Sequence, residues 1–280
     1  MEDLQEKSVL YIVPTPIGNL GDITIRALDV LNSVDEIICE DTRRTLKLLN
    51  RYQIRKHLIS YEKFSETRKI ELILENLASG KTMALVSDAG TPAVSDPGSR
   101  LIALIRKQGG IRIEALPGPS ALVTAFSASG FEPPMRFIGF FPRHRQRMQQ
   151  EIIRMNVSSD VTVFYESPRR LLSTLKKISS AVGPAREVCI GRELTKVHEE
   201  YLYGRISQVI EDLEHKGVIG EVTVIIKGAK REDAIDENTL RSRAAALLEA
   251  GHSRKDILSI LSGEAGISRN ALYSLLLDIR

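Results

Sequence analysis

Cysteine is almost missing: Cys39 and Cys189 are the only two in 280 residues. That excludes a disulfide framework and suits a reducing compartment. Tryptophan is absent and aromatic residues make up 5% of the chain, which leaves few side chains for base stacking. The histidines, at 57, 144, 198, 215 and 252, have no ligand spacing with the cysteines, so no metal site is expected. Long hydrophobic runs are lacking too; none approaches the ~18 apolar residues of a membrane span. The opening "MEDLQEKSVLYIV" is acidic where a secretory signal is basic. Together these absences predict a cytoplasmic protein with no membrane and no metal partner.

What is present is the composition of an ordinary globular chain, 42% hydrophobic and 27% charged. Its length suggests two compact units, at roughly 100–200 residues per domain. Net charge is +3 and the isoelectric point about 8.8, with clustered arginines that leave room for an anionic partner. Short β-branched runs bounded by turn residues predict buried strands at "SVLYIV" (8–13), "EIICE" (36–40), "HLISY" (57–61), "TMALVS" (82–87) and "IRIEAL" (111–116). Helical patterns separate them. "SETRKIELILENLASG" opens on Ser65 as a helix cap, repeats Ile70, Ile73, Leu74 and Leu77, and stops at Gly80. Such alternation predicts an α/β layer around a largely parallel sheet.

After "LPGPS" a second series begins. Strands are predicted at "RFIGFF" (136–141), "DVTVFYE" (160–166), "REVCIG" (186–191), "EYLYGR" (200–205) and "VTVIIK" (222–227), and helices over 119–129, 144–156 and 168–182. Several of these strands follow one another closely, so this sheet is expected to be mixed or antiparallel. The boundary is placed near Pro117–Pro119, giving a first α/β domain over 1–117 and a second over 118–229. The charged run "KGAKREDAIDEN" reads as a linker. Beyond it, 237–280 reads as a small helical module with breaks at Gly251, Gly263 and Gly266, similar to a helix-turn-helix unit. Nucleic-acid contact and a packing or dimerisation role both fit such a module.

Two nucleotide signatures fail. "SGKTM" contains Gly80, Lys81 and Thr82, but Glu75 stands where a P-loop has its first glycine, and the tripeptide precedes a strand instead of following one. No G-x-G-x-x-G occurs. What remains is a set of Gly/Pro/Ser loops at strand exits: "PTPIGNLGD" (14–22), "SDAGTPAVSDPG" (87–98) and "LPGPSA" (116–121). In open α/β sheets ligands sit beyond the carboxyl ends of strands. Glycine there admits close backbone approach, and proline sets the turn. Asp22 and Ser120 would equally well cap the helices that follow. Three such loops on one sheet point to a small polar ligand held largely by backbone.

The ordered stretches "VPTPIGNLGDITIRALDVL", "EDTRRT", "LVSDAGTPAVSDPG", "LPGPSA", "FYESPRR" and "GRELTK" resemble the tetrapyrrole-methylase superfamily, the class III methyltransferases that use S-adenosyl-L-methionine. The resemblance covers about residues 8–228 and extends to the helical tail. Within the superfamily it is to enzymes that methylate the ribose 2′-oxygen of cytidine 1402 in 16S rRNA, at the decoding centre of the small ribosomal subunit. It implies two α/β domains with the methyl donor between them, and a homodimer. By motif it assigns Asp88, Ala89, Gly90, Thr91 and Pro92 to the loop beside the donor, and Ser120 and Ala121 to the donor's methionine portion. It assigns Tyr165 with Glu166, Leu194, and Thr223 with Val224 to strand ends that line the adenosine side. The superfamily's first loop is of the type G-x-G-P-G-D. Here "PTPIGNLGD" retains Asp22 but carries Pro14, Pro16 and, towards the acceptor, Asn19, which argues against a porphyrin acceptor.

Methyl transfer from a sulfonium depends heavily on positioning the acceptor, and a ribose hydroxyl profits from a nearby base. "CEDTRRT" offers Glu40 and Asp41 as acceptors, with Arg43 and Arg44 behind them to clamp an adjoining phosphate. A helix start capped by Asp41 is the other reading of the same residues. Glu166 is a second candidate base. Arg143, Arg145 and Arg147 in "FFPRHRQRMQQEIIR", and Arg169 and Arg170 in "SPRRLL", are the candidates for RNA backbone contact. Phe140, Phe141, Tyr61 and Phe64 are the candidates for stacking. Two other functions fit parts of the pattern: a small-molecule methyltransferase of tetrapyrrole type, and a noncatalytic RNA-binding or ribosome-assembly factor.

Overall fold

The computed structural model describes residues 8–61, 66–217, 219–229 and 237–265, together with Leu272. The chain divides into two compact units, Met1–Thr124 with Leu194–His198 and Ala125–Glu193 with Glu199–Arg280.

The first unit is built on β1 (Val9–Val13), β2 (Glu36–Cys39), β3 (His57–Ser60), β4 (Met83–Val86) and β5 (Arg112–Ala115). Their order across the sheet is β3-β2-β4-β1-β5, and every pairing is parallel. The central strands are apolar without a break because both faces are covered. On one face Ala27 and Leu31 of α1 (Ile25–Ser33) join Leu48 and Leu49 of α2 (Thr42–Arg51). On the other, Ile73 and Leu77 of α3 (Glu66–Ala78) join Leu101 and Ile105 of α4 (Ser99–Gln108). Ser65, the expected cap of α3, lies outside the described residues.

The chain leaves this sheet through the turn at Pro117–Pro119 into α5 (Ala121–Ser129), where the amide of Thr124 donates to the Ser120 carbonyl at 2.9 Å. The division between units falls inside α5, C-terminal to the proline turn. The turn marks the end of the sheet, but the first residues of the helix stay with the loops of the first unit, where the Thr91 hydroxyl donates to the Pro119 carbonyl at 3.2 Å.

In the second unit, β6 (Met135–Phe140), β7 (Val161–Glu166), β8 (Glu187–Arg192), β9 (Glu200–Arg205) and β10 (Val222–Ile226) take the order β6-β7-β10-β8-β9. β6 and β7 run parallel and the other pairs antiparallel, the mixed sheet that the close strand spacing predicts. Helices α6 (Arg145–Val157), α7 (Pro168–Val182) and α8 (Ile206–Lys216) supply Ile152, Met155, Leu171, Leu175, Ile206 and Val209 to a single apolar core. α9 (Glu237–Glu249) and α10 (Arg254–Ala265) enclose a small core of their own, with Leu240, Ala244, Ile257, Leu261 and Leu272. The turn "GISRN" and most of the helix expected after it lie outside the described residues. Among the described residues no helix is long and apolar enough to cross a membrane.

Candidate active site

All strands of the first sheet run the same way, so the loops after β1, β2, β4 and β5 leave at one edge. Neighbours β1 and β4 send α1 and α4 to opposite faces, as the two separate cores show. A chain that diverges in this manner opens a crevice between the carboxyl ends of the two strands. Backbone stitches close its floor. Thr15 and Gly90 exchange two amide–carbonyl bonds of 2.9 Å, and the Thr15 hydroxyl donates to the Ser87 carbonyl at 2.9 Å. The Ser87 hydroxyl donates to the Gly90 carbonyl at 3.0 Å.

This arrangement explains the turn chemistry in "SDAGTPAVSDPG". Gly90 holds φ +81°, and a Cβ there would meet Ile17 Cγ2 at 3.4 Å. Ala93 is left-handed at φ 65° without being glycine, a strain of order 1–3 kcal/mol that surrounding bonds must hold. One of them is the Ser99 hydroxyl, donating to the Ala93 carbonyl at 3.1 Å.

Two further segments complete the edge. A Cβ on Gly118 would lie 2.7 Å from Pro14 Cβ, so the exits of β1 and β5 touch through glycine. Residues 194–198 return from the second series to dock on Gly18. A Cβ at Gly18 would stand 2.6 Å from Lys196 Cγ, 2.7 Å from Thr195 Oγ1 and 2.8 Å from the Leu194 carbonyl oxygen. The Asn19 amide donates to Thr195 Oγ1 at 3.0 Å. Leu194 is buried between two left-handed residues, Glu193 at φ 49° and Thr195 at φ 64°. The exposed Asn19 side chain accepts from the Gly21 amide at 3.0 Å and caps the short 3-10 turn Leu20–Asp22. Asp22 lies inside that turn and does not cap α1. Thr24 does so, accepting from the Ala27 amide at 3.1 Å, because the cap belongs to the residue just before the first helical turn.

The carboxylates gather around Asp88. Its Oδ1 accepts from the Asp41 amide at 3.0 Å, and its Oδ2 stands 3.5 Å from Arg44 Nε. Asp41 is the cap of α2. Its Oδ1 accepts from the Arg43 amide at 2.8 Å and from Arg43 Nε at 3.1 Å, and its Oδ2 from Arg43 Nη2 at 2.8 Å. The side-chain bonds from Arg43 hold the Asp41 carboxyl down at about 2. A carboxylate so weakly basic orients a hydroxyl better than it takes a proton. Both helix cap and polar anchor therefore describe Asp41. Arg43 folds back on Asp41, and Arg44 leans towards Asp88. Glu40 follows β2 directly and is half-buried.

Asp96 behaves differently. Burial, and next the charge of Asp88, raise its carboxyl above the ordinary aspartate value. The sequence reading passes over this residue, although the doubled "SD" within one loop was a signal that it carries two carboxylates.

The second unit holds the other expected residues. Glu166 is buried: Oε1 accepts from the Ser167 amide at 2.7 Å, and Oε2 accepts from Arg170 Nη2 at 2.6 Å and the Thr174 hydroxyl at 2.8 Å. Arg170 Nη2 also donates to the Phe141 carbonyl at 2.9 Å. Glu166 and Arg170 therefore form a structural tie between β7, α7 and the end of β6. A base role for Glu166 is corrected by that geometry, since both its oxygens accept from Arg170 and from the chain around it, while half-buried Arg170 commits Nη2 to Glu166 and the Phe141 carbonyl. Thr223 and Val224 are sealed within β10, and Tyr165 is half-buried at the end of β7. Tyr61 and Phe141 are buried in their cores and removed from any stacking role; Phe140 is exposed. Phe64 lies outside the described residues. Both cysteines are buried, and loss of solvent pushes the Cys189 thiol up to about 11.

The model of the tetrapyrrole (corrin/porphyrin) methylases matches residues 9–210. The chain belongs to the tetrapyrrole methylase family. Within it, this methylase is 48% identical over 223 residues to "Ribosomal RNA small subunit methyltransferase I" of Thermotoga maritima, covering 78% of the present chain and 98% of the relative. It is 40% identical over 276 residues to the protein of the same name from Escherichia coli O157:H7, covering 96% of this chain and 94% of the relative. Its fold matches that of uroporphyrin-III C-methyltransferase from Thermus thermophilus complexed with S-adenyl homocysteine, with a TM-score of 0.55, 14% identity, and coverage of 78% and 96%. Identity at the level of the rRNA methyltransferase I sequences places the methylase in that branch of the family.

Proposed function

We propose that this methylase transfers a methyl group from S-adenosyl-L-methionine to the ribose 2′-oxygen of cytidine 1402 in 16S rRNA. The observation that carries the reading is the set of mutually bonded, carboxylate-bearing loops at the exits of β1, β2 and β4, in a chain whose relatives bear the name of an rRNA methyltransferase. S-adenosyl-L-methionine, when bound, supplies an electrophilic methyl group on a positively charged sulfur.

The residues present fit that donor. Asp88 carries negative charge on this loop, which suits a sulfonium. Ala89 to Pro92 offer main chain at these strand exits, with Gly90 in the left-handed turn that brings the loop onto Thr15. The amides that open α5 after Ser120 and Ala121 suit an amino-acid carboxylate. The adenosine-side roles of Tyr165, Leu194, Thr223 and Val224 rest on the family resemblance, and for Thr223 and Val224 the main chain is the part on offer.

On the acceptor side, Asp41, held by Arg43, and Glu40 orient the sugar hydroxyl, with Asn19 at the rim. Arg44 next to Asp88 answers the adjoining phosphate. Arg143, Arg145, Arg147 and Arg169, all exposed, take further phosphates. The same reading makes the protein a cytoplasmic homodimer acting on the small ribosomal subunit. Transfer of tritium from labelled donor into small subunits from cells lacking this protein, followed by mass mapping, tests it. A ribose methyl at cytidine 1402 is expected; no transfer, or a methyl placed elsewhere, overturns it.

A further inference from the structure

At the carboxyl end of the parallel pair β6–β7, the second unit carries an aromatic group that its own core does not use. Phe140 ends β6 and is 64% exposed, the largest exposure of any aromatic side chain among the described residues. Burial does not hold it in place; Tyr165 does. The two residues are register partners, with ring centroids 5.6 Å apart at 68°, and Phe137 packs on the same tyrosine at 5.0 Å and 67°.

Residues three apart on a regular strand point to opposite faces. Here the register shifts between Phe137 and Phe140, and Gly139 adopts φ 67°, a bulge that turns both rings towards one partner. The cost of that bulge secures no core contact for Phe140. What it does is brace an exposed aromatic face.

The surroundings are cationic. Arg143, Arg145 and Arg147 follow within one loop and the first turn of α6, and Arg169 opens α7. All four are exposed, and none has an ion-pair partner among the described residues. Neither helix has an acidic residue in its first turn or a side-chain cap. Positive side chains at helix starts are unfavourable by themselves, because the dipole there is also positive. The Arg170 bond to the Phe141 carbonyl fixes the α6 loop beside α7, so these charges share one edge with the ring of Phe140. A braced, exposed aromatic among unpaired guanidinium groups is the combination that single-stranded nucleic acid recognises, base on ring and phosphate on arginine.

We infer that Phe140, braced by Tyr165, is a stacking platform for an unpaired base of the RNA substrate, with Arg143, Arg145, Arg147 and Arg169 holding the flanking phosphates. The inference rests on the rRNA reading and adds that the strand is engaged unpaired. An acidic protein would use the arginines and have no need of a bare ring.

The test uses the full chain and a short single-stranded RNA carrying a fluorescent purine analogue. With the parent protein the analogue is quenched, and an RNA with an abasic site in its place binds more weakly. Phe140→Leu, which keeps an apolar side chain at an exposed position, loses the quenching and binds the intact RNA about tenfold more weakly, while abasic RNA binds as before. Phe140→Tyr restores both signals. Converting Arg143, Arg145 and Arg147 together to Gln lowers the slope of log affinity against log salt by about 2.

Phe140→Leu binding as tightly as the parent overturns the platform, as does equal parental affinity for intact and abasic RNA. Displacement of the RNA by poly-glutamate at matched charge overturns it in favour of a protein partner. Methyl transfer into small subunits is followed in parallel: KM rises about tenfold in Phe140→Leu with kcat little changed. Transfer by the parent combined with unaltered binding by the variant removes the platform and leaves the enzymatic reading. No transfer by the parent removes the enzymatic reading while the fluorescence result stands separately.

Discussion

At the residue scale, the carboxylates of the first unit sort by environment, and their titrations make two predictions. Burial and the neighbouring Asp88 charge raise the folded value of Asp96. Its contribution to stability is therefore present below the ordinary aspartate range and lost as pH rises through the raised value. At neutral pH Asp96 costs stability. Asp96→Asn should then melt higher than the parent at pH 7 and at the same temperature near pH 3. A variant that melts lower at pH 7 would show that the loop depends on the Asp96 carboxylate.

Asp41 is the reverse case. Its carboxyl is depressed to about 2, chiefly by the Arg43 side chain, so its contribution is present above the ordinary value and is lost as pH falls through about 2. Carboxyl-carbon NMR of Arg43→Gln should show the Asp41 midpoint moving up towards 3.8, its unperturbed value. An unmoved midpoint would assign the depression to the helix start instead. These assignments could not be read from "CEDTRRT", where cap and catalytic acceptor call for the same residue. Only the folded chain shows the Arg43 bonds that fix the Asp41 carboxyl and hold it down.

At the element scale, glycine decides which segments can meet. Residues 194–198 belong in sequence to the second series of strands, yet they lie on Gly18 with less room than a methyl group needs. Gly18→Ala should cost about 1–3 kcal/mol in denaturant unfolding, the range for forcing an extra carbon into a packed contact. It should also weaken donor binding, measured by calorimetry, through displacement of the Leu194 turn. Unchanged stability and affinity would mean that this docking is loose.

Strand and helix positions themselves were legible. "TMALVS" is a buried strand because both faces of a parallel sheet are covered, and its β-branched, aliphatic run announces that locally. Asp22 shows where local reading stops. Cap chemistry is right for it in type, but the 3-10 turn moves the helix start to the residue after Thr24.

At the scale of the whole molecule, α9 and α10 enclose a core separate from those of both sheets. The family model ends at residue 210, and the Thermotoga relative is covered over 98% of its own length by 78% of this chain. A chain ending after Ala229 should keep donor-induced thermal stabilisation and a kcat within about twofold of the parent by the tritium assay, its losses confined to affinity for the small subunit. Failure to bind the donor would make the tail part of the core machinery.

Sequence alone determined the order and type of the elements, the parallel first sheet and mixed second sheet, the turn-rich strand exits, and the family. Each follows from local periodicity, turn chemistry or ordered motifs, which a linear chain carries in full. Tertiary structure alone decided that Glu166 is sealed, that Phe140 faces out while Phe141 faces in, that Asp96 is the carboxyl with the raised titration, and that Thr195 meets Asn19 across 176 positions of chain. Burial and charge are set by neighbours that folding brings together, and no window of sequence contains them.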